Sequence, residues 1–343
     1  MNSTCIYKGE NAEDIIKELS ACLNTNYTSE NNEFCFDIPE QLGSGYLIGY
    51  QFSHGVSVIE INVFLKKALY INFDKEALNP LRLLFNSNSA IRHVNKVSNN
   101  KATNSVNKLQ RVIYANGVNS THAIRLEKLK DTSVFIINID RKLFEKKIDS
   151  FSDGISEELA LIFKDVNGVN DVYYQDYFSL EISKIIEEFK SCELDEFMKP
   201  IFLEGKTYEI LTNQIQQFSD NLKGKNNDKL LRKATIDKIE KAVDIIKNEV
   251  DIRINVHKLA KRVGLNQNTL QTGFKILFKT SVNEYIKNHR LDMAKTLLEK
   301  SELNITEITY KIGISSRSYF SKLFKERFGI SPKEYLSQTR KTA

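Results

Sequence analysis

Residues 305–335 read I-T-E-I-T-Y-K-I-G-I-S-S-R-S-Y-F-S-K-L-F-K-E-R-F-G-I-S-P-K-E-Y. Residues 256–285 read V-H-K-L-A-K-R-V-G-L-N-Q-N-T-L-Q-T-G-F-K-I-L-F-K-T-S-V-N-E-Y, an earlier copy of the same pattern. Gly264 matches Gly313 at an offset of 49, whereas Leu270/Phe320, Phe274/Phe324, Phe278/Phe328 and Tyr285/Tyr335 match at 50. The second turn therefore holds one extra residue. A short helix, a glycine turn and a second helix, written twice, is the layout of a tandem helix-turn-helix reader of DNA.

Each first helix places apolar residues at helical spacing: Val256, Leu259, Ala260 and Val263, then Ile305, Ile308, Thr309 and Ile312. Gly264 and Gly313 follow, where a helix stop needs a left-handed residue free of a Cβ clash. Asn266 and Ser316 stand at the N-caps of the second helices. There Leu270/Phe274/Leu277 and Phe320/Leu323/Phe324 form the inward stripes. Rotation by 100° per residue turns Asn268, Gln271, Thr272 and Lys275 outward on the first, and Ser318, Ser321, Lys322 and Lys325 outward on the second. Arg317 lies beside the cap. Amides, hydroxyls and ammonium groups suit base edges and phosphates in a major groove. A lone polar helix face would be an ordinary solvated one; two in register, with matching caps and glycines, define a candidate DNA surface.

A joining helix is expected over 282–300, with Val282, Tyr285, Ile286, Met293 and Leu297 in its apolar stripe. Arg290 falls within that stripe, and a guanidinium there needs a partner, so a structural salt bridge is expected of it.

Charge supports the same segment. The chain of 343 residues carries a net +5, but residues 232–343 hold 23 Lys/Arg against 12 Asp/Glu and the remainder is acidic. Positive charge gathered on one segment points to a polyanion partner for that segment. Apolar residues at 41% and charged residues at 27% indicate a globular chain of two domains. No apolar run reaches membrane-spanning length, and no secretory leader is visible, so a cytoplasmic protein is expected. The four cysteines, Cys5, Cys22, Cys35 and Cys192, form no C-x-x-C pair and are expected to be reduced thiols.

Upstream, residues 12–23 suggest one amphipathic helix. Residues 34–139 then break into short β-branched and aromatic runs: 45–52, 56–65, 68–73, 81–85, 109–115 and 133–139. Polar stretches separate them, including S-N-N-K-A-T-N-S-V-N-K at 98–108. Strands at this spacing with no intervening helices predict a β-barrel or double-sheet jelly roll, cupin-like, with flanking helices. Helical periodicity follows over 141–148, 156–163, 176–189 and 201–218. The fold class is thus α+β in two domains: 1–220 for sensing and dimerisation, a polar linker at 221–234, and an all-α reader at 235–343.

G-L-N-Q-N-T-L-Q-T-G-F-K (264–275), N-H-R-L-D-M-A-K-T-L-L (288–298) and the 305–335 block together resemble the AraC/XylS family of bacterial transcription regulators, over about residues 236–340. The resemblance implies a seven-helix unit that sets two recognition helices into successive major grooves, roughly 34 Å apart. Thr272 departs from it, standing where many relatives carry Arg or Lys. Gly273 costs about 1 kcal/mol mid-helix relative to Ala, tolerable if its face must come close to another backbone. F-D-I-P-E-Q-L-G-S-G-Y (36–46) and I-F-L-E-G-K-T-Y-E-I-L (201–211) resemble the sensor half of the pyochelin-regulator-like subgroup, which implies an effector-responsive domain. Double-stranded DNA is the expected partner. A small-molecule effector, a second copy of the chain and RNA polymerase are further candidates.

Catalytic and metal readings are weaker. His54, His93 and His122 sit in the strand region without an H-x-H or H-x-x-E cluster and read as lone surface or turn histidines. Glu157/Glu158 and Glu187/Glu188 diverge around their helix axes, and no phosphate-cradling loop or serine-nucleophile motif is present. The aromatic run 172–178 reads as core packing ahead of a cavity lining. No catalytic residue, metal ligand or cofactor is expected. The rival readings are a cupin-type metal-dependent enzyme with the same DNA-binding tail, and a regulator without an effector.

Overall fold

The computed structural model describes residues 3–7, 11–73, 80–97, 100–117, 120–148, 156–195, 197–222, 227–301 and 303–339. The chain divides into two compact units, residues 1–229 and 230–343.

The first unit carries thirteen strands among its described residues: β1 (Ser3–Tyr7), β2 (Thr28–Glu30), β3 (Glu33–Asp37), β4 (Gly43–Gln51), β5 (Val56–Leu65), β6 (Leu69–Phe73), β7 (Leu81–Asn86), β8 (Ile91–Val97), β9 (Asn100–Val106), β10 (Gln110–Ala115), β11 (Ser120–Leu126), β12 (Asp131–Ile139) and β13 (Val172–Tyr177). One sheet runs β1-β6-β11-β8-β9 and the other β13-β10-β7-β12-β5-β4-β3-β2. Strand alternation explains their facing. In β5, Ile59, Ile61 and Val63 point into a core shared with Ile71, Ile91, Ile124 and Leu126 of the smaller sheet. Helix α1 (Ala12–Cys22), capped by Asn11, seals that core with Ile15, Ile16 and Leu19. This is the expected two-domain α+β layout with a double-sheet β domain.

On the larger sheet's outer face, rings of Phe85 and Phe135 meet Phe178 and Phe189 edge-on at 5.3 and 5.0 Å, which seats helix α4 (Leu180–Lys190). Glu60, buried on that face, accepts from Tyr46 Oη at 2.7 Å and faces Lys190 Nζ at 3.3 Å. Helices α2 (Arg141–Ile148) and α3 (Glu157–Phe163) match their periodicity, and α5 (Met198–Leu222) exceeds it at both ends.

Three expectations are corrected, and the linker stretch is more helical than its polar composition suggests. The polar stretch 98–108 contains β9, whose K-A-T-N-S lacks apolar alternation because it forms a sheet edge, bonded only to β8. Residues 176–177 belong to β13 rather than to a helix; Ser179 accepts from Ile182 N as the N-cap, so α4 starts at Leu180, four residues later than expected. Helices α5 and α6 (Asn227–Asn248) run into the stretch 221–234 read as the polar linker, because Lys, Leu, Arg and Asp sustain a helix without Pro to stop it, and the division between the two units, at 229/230, falls within that stretch; residues 223–226 lie outside the described residues. Finally, Cys5 and Cys22 form a disulfide, with Cα atoms 5.8 Å apart, where reduced thiols were expected. Packing of α1 against β1 closes the 17-residue separation, a proximity that sequence spacing does not reveal. Cys35 and Cys192 are free thiols.

The histidine expectation is also partly wrong. His54 is exposed in the 53–55 turn, but His93 and His122 are buried inside the sandwich with ring centroids 5.0 Å apart.

The described residues of the second unit form seven helices: α6, α7 (Val256–Arg262), α8 (Gln267–Phe278), α9 (Val282–Lys300), α10 (Ile305–Lys311), α11 (Arg317–Phe328) and α12 (Pro332–Thr339). Among the described residues no helix is long and apolar enough to cross a membrane.

Candidate nucleic-acid interface

The repeat seen in sequence is a repeat in space. Helices α7 and α10 are 7 residues each, and α8 and α11 are 12 each. Asn255 and Asn304 cap the first helices, the latter in a capping box with Glu307. Asn266 accepts from Thr269 N at 2.8 Å and Ser316 from Tyr319 N at 3.2 Å, so both second helices begin at the residues expected. Gly264 and Gly313 adopt φ of +68° and +69°. The matched aromatics form matched clusters. Phe274 lies 5.1 Å from Phe278 and 5.3 Å from Tyr285; Phe324 lies 4.5 Å from Phe328 and 5.7 Å from Tyr335. Leu270, Phe274, Phe320, Leu323 and Phe324 are buried, which turns the opposite faces of α8 and α11 to solvent.

On α8, Asn268 and Lys275 are exposed, whereas Gln271 and Thr272 are half-buried. Gln271 has a structural bond: its Oε1 accepts from Val282 N at 3.2 Å and so caps the start of α9. On α11, Arg317, Ser318, Lys322 and Lys325 are exposed and Ser321 is half-buried. Lys322 stands 3.9 Å from Glu326, an exposed pair of small energetic weight. Two exposed tyrosines escaped the sequence reading. Tyr319, 55% exposed, sits on the first turn of α11, and Tyr310, 66% exposed, lines the same cleft as Arg317. A search for polar outward residues passes over them; their signal is an aromatic one step off the buried stripe.

Gly273 is buried where α8 crosses α6. A Cβ there would meet Ile239 Cδ1 at 2.2 Å, so the close neighbour is a side chain rather than a backbone.

Arg290 corrects a further expectation. Its guanidinium donates from Nη1 to Gly313 O at 3.2 Å and from Nη2 to Ile252 O at 2.7 Å, with no side-chain carboxylate bonded to it among the described residues. Burial pushes its pKa down, and the nearby Asp251 charge opposes that shift. Backbone carbonyls left over at helix ends accept such a fork as well as a carboxylate would. The apolar stripe of α9 also runs slightly differently, with Val282, Ile286, Leu291, Ala294 and Leu298 buried and Tyr285, Met293 and Leu297 half-buried. The cause is that α9 packs against α8, α10 and α12, so its buried face is broader than one stripe. At 19 residues it is about 28 Å long, close to one turn of duplex. Arg327, though basic, is bound to the Asp292 carboxylate at 2.8 Å and ties α11 to α9.

Residues 259–338 match the family model described as a helix-turn-helix domain. The chain is 30% identical to the Msm operon regulatory protein of Streptococcus mutans over 136 residues, 39% of this chain and 47% of that one. It is 37% identical to the HTH-type transcriptional regulator AlkR of Acinetobacter baylyi over 84 residues, 24% of this chain and 28% of that one. Among solved structures, a transcriptional regulator with an AraC-type DNA-binding domain from Chromobacterium violaceum shares 27% identity, covering 30% of this chain and 91% of that one, with a TM-score of 0.29. The chain thus spans under half the length of the two curated relatives. Residues 259–338 are a helix-turn-helix domain, and the relatives that share it support the AraC/XylS resemblance for this segment.

Proposed function

We propose that the chain is a sequence-specific DNA-binding transcription regulator of the AraC/XylS type, acting on double-stranded DNA in the cytoplasm. The observation that carries this reading is the paired helix-turn-helix, with both second helices capped, glycine-turned and braced alike. Asn268, Thr272 and Lys275 on α8, and Arg317, Ser318, Ser321, Lys322 and Lys325 on α11, are the proposed DNA contacts; Gln271 joins them through the amide nitrogen that its bond to Val282 does not use. Gly264, Arg290 and Gly313 hold the two readers in register. The N-terminal unit, in this reading, binds a small-molecule effector and pairs two copies of the chain. The motifs at 36–46 and 201–211 favour the pyochelin-regulator-like subgroup for it. RNA polymerase is the proposed downstream partner. Genome-wide mapping of bound sites tests the reading: enrichment at promoters, with paired half-sites one helical turn apart, is expected, and uniform occupancy would defeat it.

A further inference from the structure

One end of the β sandwich gathers polar groups that a plain hydrophobic core has no use for. His93 and Asn95 from β8, and Ser120 and His122 from β11, point inward together, since His122 pairs in register with Asn95. Tyr114 of β10 and Tyr173 close on them, with the His93 ring 4.7 and 5.0 Å from the two phenol rings. Three of these groups converge on one carboxylate. Asp171 accepts from Ser120 Oγ at 2.6 Å, from His122 Nε2 at 3.2 Å and from Asn95 Nδ2 at 3.2 Å. The donors are buried, but Asp171 reaches them from the surface with its side chain 31% exposed, on the turn that precedes β13. That turn lies flat on Gly117, where a Cβ would meet Asp171 N at 2.9 Å.

Behind this cradle the polar groups are not satisfied. Neither ring nitrogen of His93, nor Nδ1 of His122, nor Oδ1 of Asn95, has a hydrogen-bond partner among the described residues, though all are buried. Protein interiors pair the large majority of buried side-chain polar atoms, so four together call for a reason. The buried Arg82 guanidinium lies 4.7 Å above the Phe73 ring and 6.0 Å from that of Tyr114.

We propose that Ser120, Asn95 and His122 are the carboxylate-binding end of the effector site, that Asp171 is its internal occupant, and that a small carboxylate effector enters by displacing it. His93 then meets the rest of the ligand with one donor and one acceptor. A planar two-oxygen anion fits a cradle that already holds one; a phosphate would bring oxygens for which it offers no donors. The displaced Asp171 swings to solvent, and the turn that carries it, lying against Gly117, is the element whose position reports binding. This inference rests on the reading of the N-terminal unit as a sensor.

The test uses the full chain and acetate as the probe. In Asp171→Ala the cradle is open to an external carboxylate. Acetate at tenfold over its dissociation constant is expected to raise the melting temperature by about 3 °C or more over chloride at equal ionic strength. Wild type should need at least about tenfold more acetate, because its own carboxylate competes. Adding Ser120→Ala should abolish the response. An equal response of Asp171→Ala and wild type, a response that survives Ser120→Ala, or one that phosphate reproduces overturns the proposal. If Asp171→Ala does not fold, the side-chain nitrogen resonances of His122 in wild type give the answer: saturating acetate must shift Nε2, and an unmoved resonance overturns it. Operator binding measured on the same samples reports the regulator reading separately, so either idea can fail alone.

Discussion

Arg290 donates to the carbonyl oxygen of Gly313 at 3.2 Å, across from the joining helix to the turn of the second helix pair. Lys238 on α6 makes the equivalent bond to Gly264 O, also at 3.2 Å. In each copy, then, the helix preceding the reader clasps the reader's glycine turn with a cation. The clasps differ in reach. Arg290 also holds Ile252 O, in the loop that leads into α7, so one guanidinium binds the entry of the first helix pair to the turn of the second.

Replacing Arg290 should therefore separate two properties. Arg290→Lys keeps the charge but cannot span two carbonyls with a planar fork. We expect a loss of about 2 kcal/mol in stability of the C-terminal unit for Arg290→Ala and somewhat less for Lys. Affinity for a two-half-site operator should fall in both variants, while affinity for an isolated half-site stays near wild type. Equal losses on both DNAs, in a mobility-shift series, would show that Arg290 does not set the spacing.

The two turn glycines should respond unequally to the same change. Both have positive φ, so either Ala variant carries the left-handed penalty of about 1–2 kcal/mol. At Gly264 the added methyl meets only Lys238, at 3.6 Å. At Gly313 it would lie 2.7 Å from Val250 O, 2.8 Å from Asp251 O and 2.9 Å from Arg290 Nη2. Backbone oxygens cannot step aside cheaply, so Gly313→Ala should cost about 1–3 kcal/mol more than Gly264→Ala. Denaturant midpoints compare them directly, and a Gly264→Ala variant as unstable as Gly313→Ala would contradict the packing.

What the sequence discloses here, and what it hides, follows from the kind of interaction. Phe274, Phe278 and Tyr285 could be placed because they recur as Phe324, Phe328 and Tyr335, and a repeated apolar spacing has few structural solutions. The partner of Arg290 could not, because a backbone carbonyl leaves no mark on residue type. Strand β9 went unread since an edge strand needs no apolar alternation. His93 and His122, 29 residues apart, become neighbours only through the β8–β11 register, and Cys5 meets Cys22 only through the packing of α1. Long-range pairing of strands is what a local reading lacks.

On α11 the proposed contacts should sort by chemistry. Arg317→Ala, Lys322→Ala and Lys325→Ala should each weaken operator binding, and Glu326→Ala should leave it unchanged or slightly tighter, since it frees Lys322 from its exposed pair. A lysine on phosphate should lower the salt slope of log K by about 1 and weaken all sequences alike; a base-reading residue should instead alter sequence preference at one position, by about 1–3 kcal/mol. Tyr319→Ala joins the series as a candidate contact, since its ring is exposed on the first turn of α11. If all five variants bind as wild type does, α11 is not a reader.

Buried His93 makes the N-terminal unit sensitive to mild acid. Burial, reinforced by the neighbouring His122 and only partly opposed by Asp171, holds the His93 pKa down at about 3 from an ordinary 6.5. Between those values the unfolded chain binds a proton that the folded chain refuses, so stability falls as pH drops below about 6.5 and levels off only near 3. The slope in that window approaches about 1.4 kcal/mol per pH unit for one group. Asp171, held at about 2 by the hydrogen bond from His122 ahead of those from Ser120 and Asn95, acts in the same direction but only below about pH 4. His93→Phe keeps a ring among Tyr114, His122 and Tyr173 and removes the titration. The unfolding free energy of wild type minus that of this variant should therefore fall steadily from pH 6.5 to pH 4, with His289, whose pKa burial also lowers, cancelling because both proteins carry it. A pH-independent difference would mean that His93 already takes up a proton in the folded chain.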